Sequence, residues 1–122
     1  MAQGAEKFVL NRGMDGGLEL YSDVDWKLVE EQMTTQHPIN LADSRFFRRY
    51  FYSHVVPAPT DSQGRILIPA FLLTIAGIEK EVLILGVGEK MELWNEQKYK
   101  EYFASFGATP EQVAERLFTK RE

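Results

Sequence analysis

Residues 6–27 recur at residues 79–100, and no other feature constrains the folding of this chain as much. Glu6-Lys7-Phe8-Val9-Leu10 returns as Glu79-Lys80-Glu81-Val82-Leu83, and Gly13 returns as Gly86. Leu18-Glu19-Leu20-Tyr21 returns as Met91-Glu92-Leu93-Trp94, and Trp26-Lys27 as Tyr99-Lys100, at one ungapped offset of 73. A repeat at fixed spacing makes the repeated unit the element of architecture. An ordered unit, residues 53–78, precedes the second copy; shifted back by 73, most of its counterpart falls before Met1. The expectation is two copies of one module, the first lacking its front part.

Each copy reads as a hairpin followed by a helix. Phe8-Val9-Leu10 has the character of a short buried strand, Gly13 to Gly17 of a turn, and Leu18-Glu19-Leu20-Tyr21 of the return strand. Ser22 or Asp23 can cap a helix to about Thr34 whose apolar stripe is Trp26, Val29 and Met33. His37-Pro38 breaks the chain. A second helix is expected from Asn40 to Ser53, then an extended edge or bulged segment from His54 to Thr60, because Pro57 and Pro59 cannot donate ladder bonds. Asp61-Ser62-Gln63-Gly64 is a turn and Arg65-Ile66-Leu67-Ile68 a strong strand; Pro69 opens a short helix at its first position, and Gly77 ends it. Val82 to Leu85 and Met91 to Trp94 form the second hairpin around Gly86 to Lys90. Asn95 caps a helix to about Phe106, and Thr109-Pro110 starts the last one. Strands and helices in this order make an α+β fold.

With 122 residues, 44% hydrophobic and 26% charged, the chain has the size and balance of one globular domain. It shows neither a membrane-length apolar run nor a basic-then-apolar leader. The absence of cysteine removes disulfides, thiolate catalysis and cysteine-based zinc sites, and fits a cytosolic setting. The net charge of −4 argues against non-specific nucleic-acid binding by the whole chain, yet residues 44–78 carry Arg45, Arg48, Arg49 and Arg65 against Asp61 alone.

Candidate catalytic patterns dissolve on inspection. Gly86-Val87-Gly88 follows a strand like a dinucleotide-binding loop, but it lacks the third glycine and leads into a strand, whereas a phosphate site needs a helix N-terminus. His37 and His54 have no acid at ligand spacing, Ser53-His54 are sequence neighbours rather than a nucleophile and its base, and Asp23 and Asp25 sit where helix starts favour acids. No enzyme chemistry, cofactor, metal or small-molecule substrate is indicated. Arg45, Arg48 and Arg49 read equally as a solvated helical face or as a surface for a polyanion. Asp61 and Arg65 read either as a pair holding a tight turn or as a presented contact: Asp61 accepts N–H bonds across the turn, Gly64 permits a positive φ, and Arg65 offers a planar fork to phosphate or guanine, with Ser62 and Gln63 beside it.

Asp61-x-x-Gly64-Arg65, the apolar strand ending in Ile68-Pro69, and the later Leu72, Ala76-Gly77, Val82, Gly86 and Glu92-Leu93-Trp94 resemble the second half of the MraZ family, bacterial transcriptional regulators of the SpoVT/AbrB superfamily. Arg45, Arg49, Phe51 and Ser53 resemble that family's preceding helix, so the likeness spans about residues 6–106. The family has a first copy of the motif near its N-terminus, which the offset places upstream of Met1, and tends to Leu-Arg where this chain has Leu72-Leu73.

The resemblance implies two tandem AbrB-like swapped-hairpin modules, the first incomplete, forming a pseudo-symmetric barrel with packed helices. It divides the chain into a remnant of the first module (1–25), a helical connection (26–53), the second module (54–98) and C-terminal helices (99–122). It further implies a cytoplasmic, nucleoid-associated homo-oligomer, ring-shaped, that binds promoter double-stranded DNA of the cell-division and cell-wall gene cluster. Arg65 would be the main contact, Ser62 and Gln63 its neighbours, and Arg45 and Arg49 secondary phosphate or oligomer contacts, with Asp61 and Gly64 shaping the turn. The alternative is a protein-interaction module with weakened DNA binding, in which an open sheet edge seeks a partner strand.

Overall fold

A computed structural model describes residues 7–36 and 40–119. In chain order the elements are β1 (Phe8–Arg12), β2 (Leu18–Ser22), α1 (Asp23–Gln36), α2 (Ala42–Tyr52), β3 (Val56–Pro57), α3 (Ala70–Ala76), β4 (Leu83–Gly86), β5 (Met91–Trp94), α4 (Glu96–Ala104) and α5 (Pro110–Phe118). The expected break at His37-Pro38 lies outside the described residues. The five strands form one antiparallel sheet in the order β3-β1-β2-β5-β4. The α+β class therefore stands, while the sheet of the single chain is open-ended and not a closed barrel.

The two repeats meet at the centre of this sheet. Leu18 pairs with Leu93, Glu19 with Glu92 and Leu20 with Met91, so a local two-fold axis runs between Glu19 and Glu92. Across it β2 maps onto β5 with the offset of 73 read from the sequence. The outer strands break that regularity: Arg12 pairs with Leu18 but Gly86 with Met91, so β1 maps onto β4 with an offset of 74. The ungapped alignment is thus corrected by one residue. The cause is turn length, since residues 13–17 close through Gly13 N–H to Gly17 C=O, whereas 87–90 close as a tighter turn through Val87 N–H to Lys90 C=O. Leu10 therefore has Ile84, not Leu83, as its structural counterpart.

Paired residues share a face. Leu10, Leu18, Leu20 and Leu93 line one face and bury against Leu72 and Ala76 of α3, with Ala58 and Ile78. Glu19, Tyr21, Glu92 and Trp94 line the other, where Tyr21 meets Trp26 of α1 and Trp94 meets Tyr99 and Tyr102 of α4. α2 completes the aromatic layer by stacking Phe51 on Trp26, ring centroids 5.6 Å apart and ring planes nearly parallel.

The expected caps form. The Ser22 hydroxyl accepts the Asp25 N–H, Asn95 accepts the Lys98 N–H, and Thr109 and Gln112 complete a reciprocal capping box. Gly77 ends α3 at φ +69°, a region costly for other residues. Three local expectations are corrected. Pro69 caps α3 instead of opening it, because its ψ of 146° is extended and its carbonyl accepts the Leu72 and Leu73 N–H groups. Arg65 to Ile68 joins no ladder; Ile66 and Ile68 lean on the core while Leu67 is 84% exposed. α2 and α4 are shorter than their patterns suggest, ending at Tyr52 and Ala104. The edge assignment of residues 54–60 does hold: β3 borders β1 through Val9–Pro57 and Leu10–Val56, and Ala58 N–H reaches Phe8 C=O.

Candidate nucleic-acid interface

The turn at Asp61 to Arg65 is built around one carboxylate. Asp61 Oδ1 accepts the backbone N–H of Gln63 at 2.8 Å and of Arg65 at 2.9 Å, and Oδ2 accepts Arg65 Nε at 2.8 Å. Backbone bonds close the same loop, from Asp61 N–H to Arg65 C=O and from Gly64 N–H to Asp61 C=O. Gly64 supplies the required left-handed residue at φ +79°. The N–H groups of Arg65 and Gln63, with the Arg65 side chain, hold the Asp61 carboxyl below its ordinary pKa. A charged Asp61 is therefore part of the turn at neutral pH.

The same geometry presents Arg65. Its bond to Asp61 uses Nε alone and leaves the two terminal nitrogens outside that bond, and the side chain is 71% exposed. Ser62 and Gln63 at the tip are exposed as well. The structure thus brings Asp61, Gln63, Gly64 and Arg65 together, and the turn-holding pair and an outward guanidinium coexist in one arrangement.

Arg45 and Arg49 stand on a different element. Both are exposed on α2, beside the 75%-exposed Phe46. Arg48, which the sequence grouped with them, turns inward: its Nη2 donates to Met33 C=O, and its Nε is buried without a hydrogen-bond partner. Helical spacing could not separate Arg48 from Arg45, because only the packing of α2 on α1 selects which arginine faces in. Ser53 and His54 do touch, Oγ to Nδ1 at 3.0 Å, but the Ser53 hydroxyl also lies 2.7 Å from Tyr50 C=O, its evident acceptor, and Ser53 is exposed.

A polar cluster at the two-fold axis was not singled out from sequence. Glu19, nearly buried, accepts the Tyr21 hydroxyl at 3.0 Å and pairs with Lys90 Nζ at 2.6 Å. Glu92 accepts Trp94 Nε1 at 3.0 Å, the same i to i+2 bond in the second repeat. The repetition of Glu-x-aromatic in both copies was its signal. An apolar groove of about 350 Å³ between α4 and α5, lined by Phe103, Phe106, Val113, Leu117 and Phe118 among others, is a second feature that local patterns did not reveal.

Comparison with known proteins adds an independent line. The family model of MraZ protein, described as antitoxin-like, matches residues 51–121, more than half of the chain. A protein named "Transcriptional regulator MraZ" from Caldanaerobacter subterraneus subsp. tengcongensis is 42% identical over 112 residues, covering 92% of this chain and 78% of that protein. Proteins of the same name from Heliobacterium modesticaldum and Thermoanaerobacter sp. strain X514 are 39% and 41% identical with the same coverage.

Proposed function

The chain belongs to the MraZ family, and from that premise we propose that it is a DNA-binding transcriptional regulator whose reading element is the Asp61–Arg65 tip. The observation that carries this reading is a guanidinium held outward on a turn whose backbone is fixed by its own carboxylate. A pre-ordered cation loses little conformational freedom on meeting a phosphate or guanine edge. Arg65 makes the main contact, with Ser62 and Gln63 reaching the groove beside it and Arg45 and Arg49 giving phosphate or subunit contacts. One such tip is a small footprint, so useful affinity comes from several tips on a ring-shaped homo-oligomer engaging one promoter. In this reading β3, from the second swapped-hairpin module (54–98), bordering β1, from the incomplete first (1–25), is one crossing of a barrel that closes on assembly. The regulated genes are those of cell division and cell-wall synthesis, and the protein acts in the cytoplasm at the nucleoid.

Fluorescence-anisotropy titration onto the DNA upstream of its own gene, beside a shuffled duplex at two salt concentrations, tests this. Preferential binding that weakens with salt is expected. Arg65→Ala should cost about 1–3 kcal/mol of discrimination if Arg65 reads a base, or lower the salt slope by about one if it meets phosphate. Equal binding to both duplexes, unchanged by Arg65→Ala, would refute the assignment.

A further inference from the structure

The tip that presents Arg65 carries as much negative as positive charge. Residues 55–78 hold Asp61 and Arg65 and no other charged side chain. Asp61 Oδ2 lies 2.8 Å from Arg65 Nε, and neither group is enclosed, the carboxylate being 43% and the guanidinium 71% exposed. A hairpin made only to grip phosphate has no use for an anion in contact with its one cation, since that anion repels every phosphate the cation attracts. The turn does not need the charge either. Its backbone is held by Oδ1, which accepts the N–H groups of Gln63 and Arg65, and a neutral side-chain oxygen can do the same. The second oxygen, Oδ2, goes to the Arg65 side chain. It acts on the cation and not on the backbone of the turn.

We propose that Asp61 is a specificity-determining residue: its carboxylate lowers the hold of Arg65 on phosphate while leaving the guanidinium able to meet a base edge. This role rests on the DNA reading of the tip and adds to it what the turn-forming acid does in recognition. Charge separates the two ligands first. A phosphate carries a full negative charge, so its approach to Arg65 brings it towards the exposed Asp61 carboxylate as well. A base edge carries no net charge and meets no such repulsion. Geometry separates them further. The bond at Nε occupies one side of the fork and leaves the two terminal nitrogens, which match the paired acceptors O6 and N7 of guanine. Any duplex offers phosphates along its whole length, whereas the right base edge occurs only at the site. Weakening the phosphate contact therefore raises the ratio of specific to non-specific binding, even where total affinity falls.

Asp61→Asn tests this, because an amide oxygen can still accept both backbone N–H groups while the charge is gone. The full chain is titrated by fluorescence anisotropy against labelled DNA from upstream of its own gene, a shuffled duplex, and inorganic polyphosphate, a polyanion with no bases. Asp61→Asn should bind polyphosphate and the shuffled duplex more tightly than wild type. Neutralising one further phosphate per tip adds about 0.9 to the salt slope, so that gain should be about threefold larger at about 50 mM salt than at about 200 mM. Its own DNA should gain less, so the preference falls. Adding Arg65→Ala should abolish the gain, an effect that a purely structural role for Asp61 would not produce. Glu111→Gln, the same change of charge on the exposed side of α5, should reproduce little of it. An unchanged affinity for polyphosphate, a gain that survives Arg65→Ala, or a preference kept in full by Asp61→Asn would each overturn the assignment of Asp61 alone. A wild type with no preference for its own DNA would instead refute the DNA reading beneath it. Should Asp61→Asn lose the far-ultraviolet circular dichroism of the wild type, Asp61→Ser takes its place, its hydroxyl accepting across the turn, with the same required gain.

Discussion

The β1–β2 and β4–β5 hairpins descend from one pattern, and where they face each other they differ in compensating ways. The β2–β5 register, continued one step each way, sets Gly17 across from Trp94 and Tyr21 across from Lys90. A Cβ on Gly17 would lie 2.7 Å from Trp94 Cε2, so the larger ring occupies the side-chain space of residue 17. Around the smaller ring, Lys90 passes with Nζ 5.8 Å from the Tyr21 centroid and reaches Glu19. Tyr21 and Trp94 each donate to the glutamate two residues earlier, but among the described residues Glu19, and not Glu92, gains a cation. Two identical copies would set two glutamates side by side with no lysine, or two lysines with no room for a tryptophan. The repeats fit together because they diverged at this seam.

The sharpest probe of the difference between halves is truncation at equivalent positions. Leu10→Ala should cost about 2–5 kcal/mol, because Leu10 is enclosed by α3 and the β3 segment. Ile84→Ala, measured by urea denaturation of diluted protein, should cost under about 1 kcal/mol. Equal losses would show that β4 is covered in solution even in a single chain.

Lys90→Met comes next, with an expected loss of about 2–3 kcal/mol, because it leaves the nearly buried Glu19 carboxylate with only the Tyr21 hydroxyl. Adding Glu19→Gln should recover much of that loss, and an additive double mutant would show that the pair is not coupled. Gly17→Ala should cost about 1–3 kcal/mol, since the buried Trp94 ring cannot withdraw freely. Coupling Gly17→Ala to Trp94→Tyr should shrink that penalty, because a tyrosine leaves room for a side chain at 17 as Tyr21 does at 90.

Local chemistry made much of this structure legible in the sequence. The repeated strands, the caps at Asn95 and Thr109 and the αL glycine at Gly77 each depend on a few neighbouring residues. The Asp61 turn was legible for the same reason, since its bonds run within five residues. Non-local pairing was hidden. Arg65 to Ile68 has strand composition, yet composition does not supply a neighbouring strand, and this segment lies against the core outside the sheet. The one-residue slip between β1 and β4 was masked because the Gly13–Gly86 match held the alignment at 73, while the fold shortened the second turn. Arg48 and Arg49 are equivalent to a helical pattern and become distinct only when α1 covers one side of α2.

The smallest effect expected is also the one that separates the halves by chemistry alone. Burial, and then the Glu19 carboxylate, push the Tyr21 hydroxyl well above the ordinary tyrosine pKa, while its counterpart Trp94 has no proton to lose in this range. A raised pKa in the fold means that above about pH 10 the unfolded chain gives up a proton which the folded chain retains. The contribution is therefore fully present below about pH 10 and drains away as pH rises through the interval to the raised value. Tyr52 and Tyr102 are raised too, by burial and then by Glu30 and Asp15 respectively, so some alkaline loss will persist in any single variant. Tyr21→Phe should cost about 1 kcal/mol at neutral pH for the lost bond to Glu19 and should flatten the decline between pH 10 and 11. Urea unfolding at closely spaced alkaline pH values measures both. An unchanged slope in Tyr21→Phe would place the alkaline sensitivity in the tyrosines of α2 and α4 and remove this distinction between the hairpins.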